Sequence, residues 1–136
     1  MSNGQEPSAQ LFRAWADAAL AVDVPDTARA FSFNIYEHPE AFALEVTGSP
    51  AYKADDPSWA PEEVFAHRDS PFEIPRGLVA DSWERALAAV VDLVRGYLRS
   101  CEPAHRLRRA DAVAVGFVDG DLHVLWENGS ECREAP

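Results

Sequence analysis

In the stretch APEEVFAHRD, Glu63 and His67 stand four positions apart and Asp69 follows, so a short helix opened at Pro61 would set Glu63 and His67 on one face. Two carboxylates and an imidazole so arranged are a ligand set for a divalent cation, and hence the core of a metal-assisted enzyme. The set lacks the paired histidines of the familiar zinc motif. Its alternative is a solvent-facing Glu and His flanking apolar Val64 and Phe65. No metal or other cofactor is expected on this basis.

Other chemistry has weaker footing. His38 falls in a turn, His105 in an arginine-rich stretch, and His123 opposite Gly116 in a hairpin. Ser100 and Cys101 adjoin no base that the sequence identifies, so nucleophilic catalysis has no constellation. There is no Gly-rich phosphate loop, and Asp119-Gly120-Asp121 suits a tight turn better than a calcium loop. No catalytic residue is assigned, and a binding role is expected over an enzymatic one.

Surface chemistry is more informative. Between residues 37 and 73 there are nine acids against Lys53 and Arg68, interleaved with Tyr52, Trp59 and Phe65. Acids steer an encounter with a basic protein, and large rings anchor it once water is expelled. Asp55, Asp56, Trp59, Glu62, Glu63 and Phe65 are therefore the expected partner-binding residues. The alternative is that Trp59, Phe65 and Phe72 are plugs tying a long loop to the core. A formal charge of −11 opposes general nucleic-acid binding, because phosphate contacts need Lys and Arg. Arg95, Arg99, Arg106, Arg108 and Arg109 form a basic corner, expected as solvated cations near a helix C-terminus, with an anion or RNA site as the alternative.

The elements that would position these groups are read from periodicity. Ser8 caps a first helix in which Leu11, Trp15, Ala18 and Val22 recur before Pro25. Phe31, Phe33 and Ile35, then Phe42, Leu44 and Val46, alternate as two strands. A four-residue loop at 37–40 would pair Ile35 with Phe42. Ser49 to Gly77 is broken by Pro50, Pro57, Pro61, Pro71 and Pro75 and is expected to be irregular. Asp81 with Glu84 forms a capping box for a second helix striped by Trp83, Leu87, Val90, Val94 and Leu98. Gly96 within it suggests close packing. A last hairpin turns at Asp119-Gly120 and pairs Phe117 with Leu122, Val115 with Val124 and Val113 with Trp126. Ala112, Ala114 and Gly116 on its other face leave room for a further layer, for which the 49–77 segment is available.

The expected fold is α+β in the order α-β-β-α-β-β, an antiparallel sheet of about four strands packed by two helices. Residues 1–136 fit one domain, with tails at 1–7 and 128–136. No apolar run approaches the ~18 residues of a membrane span, and MSNGQEPSAQ has no leader-like character, so a cytoplasmic protein is expected. Cys101 and Cys132 are too few for a disulfide framework. Eleven arginines beside a single lysine, with abundant alanine, suit a bacterial source of high-GC codon usage. If the last hairpin forms a sheet edge, it offers a homodimer contact.

Together, DDPSWAPEEVF, AFSFNIYE and AVGFVDGDLHVLW resemble, in style, small acidic bacterial immunity-type proteins. That resemblance implies a noncatalytic protein that neutralises a cognate toxin, often a basic nuclease. A small-ligand-binding or adaptor domain is the remaining alternative, expected if the 49–77 segment closes a cavity over the sheet.

Overall fold

A computed structural model of the chain describes residues 8–21, 24–53, 59, 61–101, 105–118 and 120–132. The elements are α1 (Ala9–Ala21), β1 (Ala30–Glu37), β2 (Ala41–Ser49), β3 (Phe65–Pro75), α2 (Trp83–Ser100), β4 (Ala112–Phe117), β5 (Leu122–Glu127) and β6 (Ser130–Glu131), with a 3-10 turn, Arg76–Val79, leading into α2. The class is α+β as expected. The order, however, is α-β-β-β-α-β-β-β, and the sheet has six strands in the order β3-β2-β1-β4-β5-β6. It is mixed rather than antiparallel, because β1 and β4 run parallel at its centre.

The extra strand β3 lies inside the segment expected to be irregular. Its prolines are tolerated because β3 is an edge strand. Pro75 closes it, and Pro71 lies in a bulge where the register jumps from Leu44↔Phe72 to Val46↔His67, setting residues 68–71 against Glu45 alone. The bulge presents the Ser70 carbonyl to α1, where the Trp15 indole donates to it at 2.6 Å.

Both hairpins form with altered registers. β1 and β2 pair Ile35 with Leu44 and Glu37 with Phe42, because the turn is tighter than expected: the His38 amide donates to the Ala41 carbonyl at 2.8 Å. A shift of two residues keeps every side chain on its intended face. In the second hairpin Val113 pairs with Trp126 as expected, but a bulge then pairs Ala114 with Val124 and Gly116 with Leu122. Leu122 and Val124 therefore leave the helix-side core and join the opposite face, Leu125 turns into that core, and Trp126 stays there. β6 pairs with the end of β5, at Trp126 and Glu127, so part of the stretch expected as a tail is a strand, and the edge available to a strand-paired dimer is shortened to the start of β5.

Both helices cover one face of the sheet, where Phe31, Phe33, Ile35, Phe42, Leu44 and Val46 are buried. The Ser8 hydroxyl accepts from the Leu11 amide at 3.1 Å and caps α1. The buried stripe of α1 is Phe12, Ala16, Ala19 and Leu20; Leu11 is 66% exposed, and Val22 lies outside the described residues. Phe12 wins the inward position because it meets the rings of Phe33, Phe72 and Tyr97. In α2 the cap is Ser82 rather than Asp81. The Ser82 hydroxyl accepts from the Arg85 amide at 3.2 Å, while Asp81, at φ 54°, pairs with Arg76.

Val90, Val94 and Leu98 are buried as expected. Gly96 is exposed, and a Cβ there would meet nothing within 4 Å, so it is not a close-packing site. At Gly116 a Cβ would collide with the Asp121 backbone carbonyl. Gly116→Ala is therefore expected to destabilise by about 1–3 kcal/mol, and Gly96→Ala to stabilise by about 0.5–1 kcal/mol. Urea unfolding of the two variants measures both, and equal midpoints would contradict the packing described.

Candidate functional site

Of the residues singled out by sequence, the two aromatics do not share a surface patch. Asp55 and Asp56 lie outside the described residues. Trp59 is 7% exposed and Phe65 8% exposed, and they are buried on opposite faces of the sheet. Trp59 packs with Tyr52 over Ala30, Ala112 and Ala114, its ring 5.3 Å from Tyr52 and nearly perpendicular to it. The small residues of β4 thus accept a further layer as expected. Phe65 sits in the helix-side core against Phe31. Both rings are plugs, and the Tyr52 hydroxyl fastens the layer by donating to Glu127 at 2.6 Å.

Glu62 and Glu63 are exposed. Glu63 pairs with Arg68, whose Nε also donates to Glu45 Oε1 at 2.8 Å. The other Glu45 oxygen accepts from Asn34 at 3.1 Å. Glu45, 8% exposed, is thus a buried carboxylate with both oxygens occupied, and the two carboxylates hold the Arg68 guanidinium above its ordinary pKa through hydrogen bonds. The proposed metal set does not converge. His67 is in β3 beside the Trp15 ring, 6.0 Å away, Asp69 is exposed in the bulge, and Glu63 is engaged by Arg68. Among the described residues no group of three or more His, Cys, Asp or Glu could hold a metal.

A polar chain that sequence spacing did not reveal links α1, α2 and the loop after it. The Tyr97 hydroxyl donates to Asp17 Oδ1 at 2.7 Å and lies 3.4 Å from His105 Nε2. Because His105 Nδ1 accepts from the Leu107 amide at 3.1 Å, the neutral ring carries its proton on Nε2, directed at the Tyr97 oxygen. Burial, then the Asp17 carboxylate, drive the Tyr97 phenol well above its ordinary range. Burial and Asp17 likewise raise the Cys101 thiol, and burial and Glu127 raise Cys132. Both cysteines are free and held as thiols, the form that is a poor nucleophile. This arrangement positions helices; it does not generate a reactive anion.

The basic corner is also largely structural. Arg99 makes a two-pronged contact with Glu131 at 2.6 and 3.1 Å, with Arg95 3.8 Å from the same carboxylate. Arg108 lies 5.1 Å over the Trp126 ring and donates to the Cys101 carbonyl at 2.8 Å. Arg106 and Arg109 are exposed.

Two concavities flank α2. One, of about 970 Å³, runs between α1 and α2 past Arg13, Arg85 and Gly96. The other, of about 840 Å³, lies between α2 and the end of the β4–β5 hairpin; Trp83, Leu87, Val91 and Phe117 contribute its apolar lining. Glu37, Glu84, Asp92 and Asp121 also line it, with Arg95 and His123. Trp83 is 53% exposed, its ring 6.0 Å from that of Phe117 and nearly perpendicular to it. Sequence periodicity put Trp83 on the buried stripe of α2. By angle it belongs there, but its position in the first turn sets it beside the last residue of β4, where the sheet ends.

No family model, curated protein or solved structure matches the chain significantly. No helix among the described residues is long and apolar enough to cross a membrane.

Trp59→Ala is expected to cost about 3–5 kcal/mol, read from denaturant unfolding; a loss below ~1 kcal/mol would mean that the ring is not a plug. Tyr97 gives a pH signature. Its folded-state pKa is raised above the ordinary value of 10.0, so its contribution is complete below that pH and lost as the unfolded phenol ionises above it. In Tyr97→Phe the fall of stability above pH 10 is expected to be shallower by up to about 1.4 kcal/mol per pH unit. An unchanged alkaline slope would contradict the burial of that proton.

Proposed function

We propose that this chain is a noncatalytic binding module for a basic protein, and that it serves in the cytoplasm as an immunity protein neutralising a basic toxin. The observation that carries this reading is the division of charge. Arg29, Arg68, Arg76, Arg95 and Arg99 are engaged by carboxylates of the same chain. Exposed Asp26, Glu40, Glu62, Asp69 and Glu73 pair with no cation among the described residues. A surface so biased accelerates encounters with cationic partners and repels anionic ones. Within the 49–77 segment, Trp59 and Phe65 act as fasteners and Glu63 is held by Arg68, so Asp55, Asp56 and Glu62 are the groups offered to the partner.

The test is capture from a lysate of the source organism on immobilised protein, with elution by rising salt. The expected result is a basic protein, released as salt rises, that arrests growth when expressed alone and is tolerated when this chain is co-expressed. Reversal of Asp55, Asp56 and Glu62 to Arg is expected to weaken capture by about tenfold or more. Recovery of no basic protein would sink the binding reading. A basic partner whose expression is harmless would sink the immunity role alone.

A further inference from the structure

Trp83 is among the few large apolar side chains left exposed among the described residues, at 53%, and it stands in the cleft between α2 and the β4–β5 hairpin beside Leu87, Val91 and Phe117. An accessible tryptophan over an apolar floor is the residue type and setting in which interface binding energy concentrates. The rim has a definite sign. Glu84, Asp92 and Asp121 are exposed and pair with no cation among the described residues, whereas Glu37 is taken by Arg76 at 3.0 Å. The cation on the rim, Arg95, is turned to Glu131 and the Cys132 carbonyl. The cleft therefore combines an apolar floor with three uncompensated carboxylates.

We infer that this cleft is the docking site for a segment of the basic partner that presents an apolar side chain between lysines or arginines. The inference rests on the binding role proposed above and moves the aromatic anchor from Trp59 and Phe65, which are buried, to Trp83. The apolar side chain seats on Trp83 and Phe117, and the flanking cations meet Glu84, Asp92 and Asp121. Those carboxylates lie beside a low-dielectric surface, so they act on a docked cation more strongly than equally exposed acids elsewhere. Nucleic acid, with its phosphates, is repelled by the same rim.

The test uses the full chain, labelled with nitrogen-15, and a short Lys/Leu amphipathic peptide as probe, with its Glu/Leu counterpart as control. The Lys/Leu peptide is expected to shift the amide signals of Leu87, Val91, Phe117 and Asp121, with affinity falling as salt is raised, and the Glu/Leu peptide is expected to leave them unmoved. Trp83→Ala is expected to weaken binding about tenfold or more. Glu84→Arg with Asp92→Arg, both on the exposed face of α2, removes the salt-dependent part and guards against misreading a folding defect of the tryptophan variant. Shifts confined to Glu62, Glu63 and the β3 edge would overturn the cleft while keeping a basic partner. Absence of binding anywhere would remove both. Equal response to the two peptides, or sedimentation showing that a second copy of the chain already covers the cleft, would also overturn it.

Discussion

The parallel pairing of β1 with β4 is the constraint on which the rest of the structure depends. It joins Ala30–Ile35 to Ala112–Phe117, two strands whose residues are mostly buried on both faces, and such a pair must be covered from both sides. On one side the cover is α1 and α2. On the other it is the chain leaving β2, through Tyr52 and Trp59, and the alanines at 112 and 114 let the tryptophan approach. Parallel strands also need a long crossover. Here the connection carries β2, β3 and α2, so the edge meander and the second helix are consequences of the same pairing.

Charge is distributed to serve that frame before it serves anything outside. Arg76 lies 4.6 Å over the Phe42 ring, donates to the His38 carbonyl and pairs with Glu37 and Asp81, binding the first hairpin turn to the entrance of α2. Arg95 and Arg99 hold Glu131, which explains how a strand as short as β6 keeps its place. Arg68 occupies Glu45 on the open side of the sheet. Five arginines are thus consumed by carboxylates within the chain, and the acids left over outnumber the cations left exposed. Acidity and fold specification are therefore coupled: a protein with few lysines has given its arginines internal duties.

Local signals were legible where one residue type has one use. The serine cap of α1, the alternation in β1 and β2, the central stripe of α2 and the small face of β4 all follow from the residues. What failed to show was set by the third dimension. β3 was hidden because its prolines read as breakers, and their acceptability depends on its being at an edge. The β5 bulge was hidden because a strict alternation cannot mark where one extra residue is absorbed. Trp83 read as core because helical angle says nothing of where the opposing sheet stops. His105, Tyr97 and Asp17 were invisible as a unit, since three separate elements supply them.

The two margins of the sheet are closed in different ways. β3 carries prolines and sets four residues, 68–71, against Glu45 alone, and β6 is only two residues long. Neither presents a long regular ladder of free amides and carbonyls, so strand addition, a common route by which sheets recruit peptides or stack into fibres, finds little template on β3 or β6. Substitution at exposed positions can accordingly reshape the surface of this protein without altering a single backbone pairing.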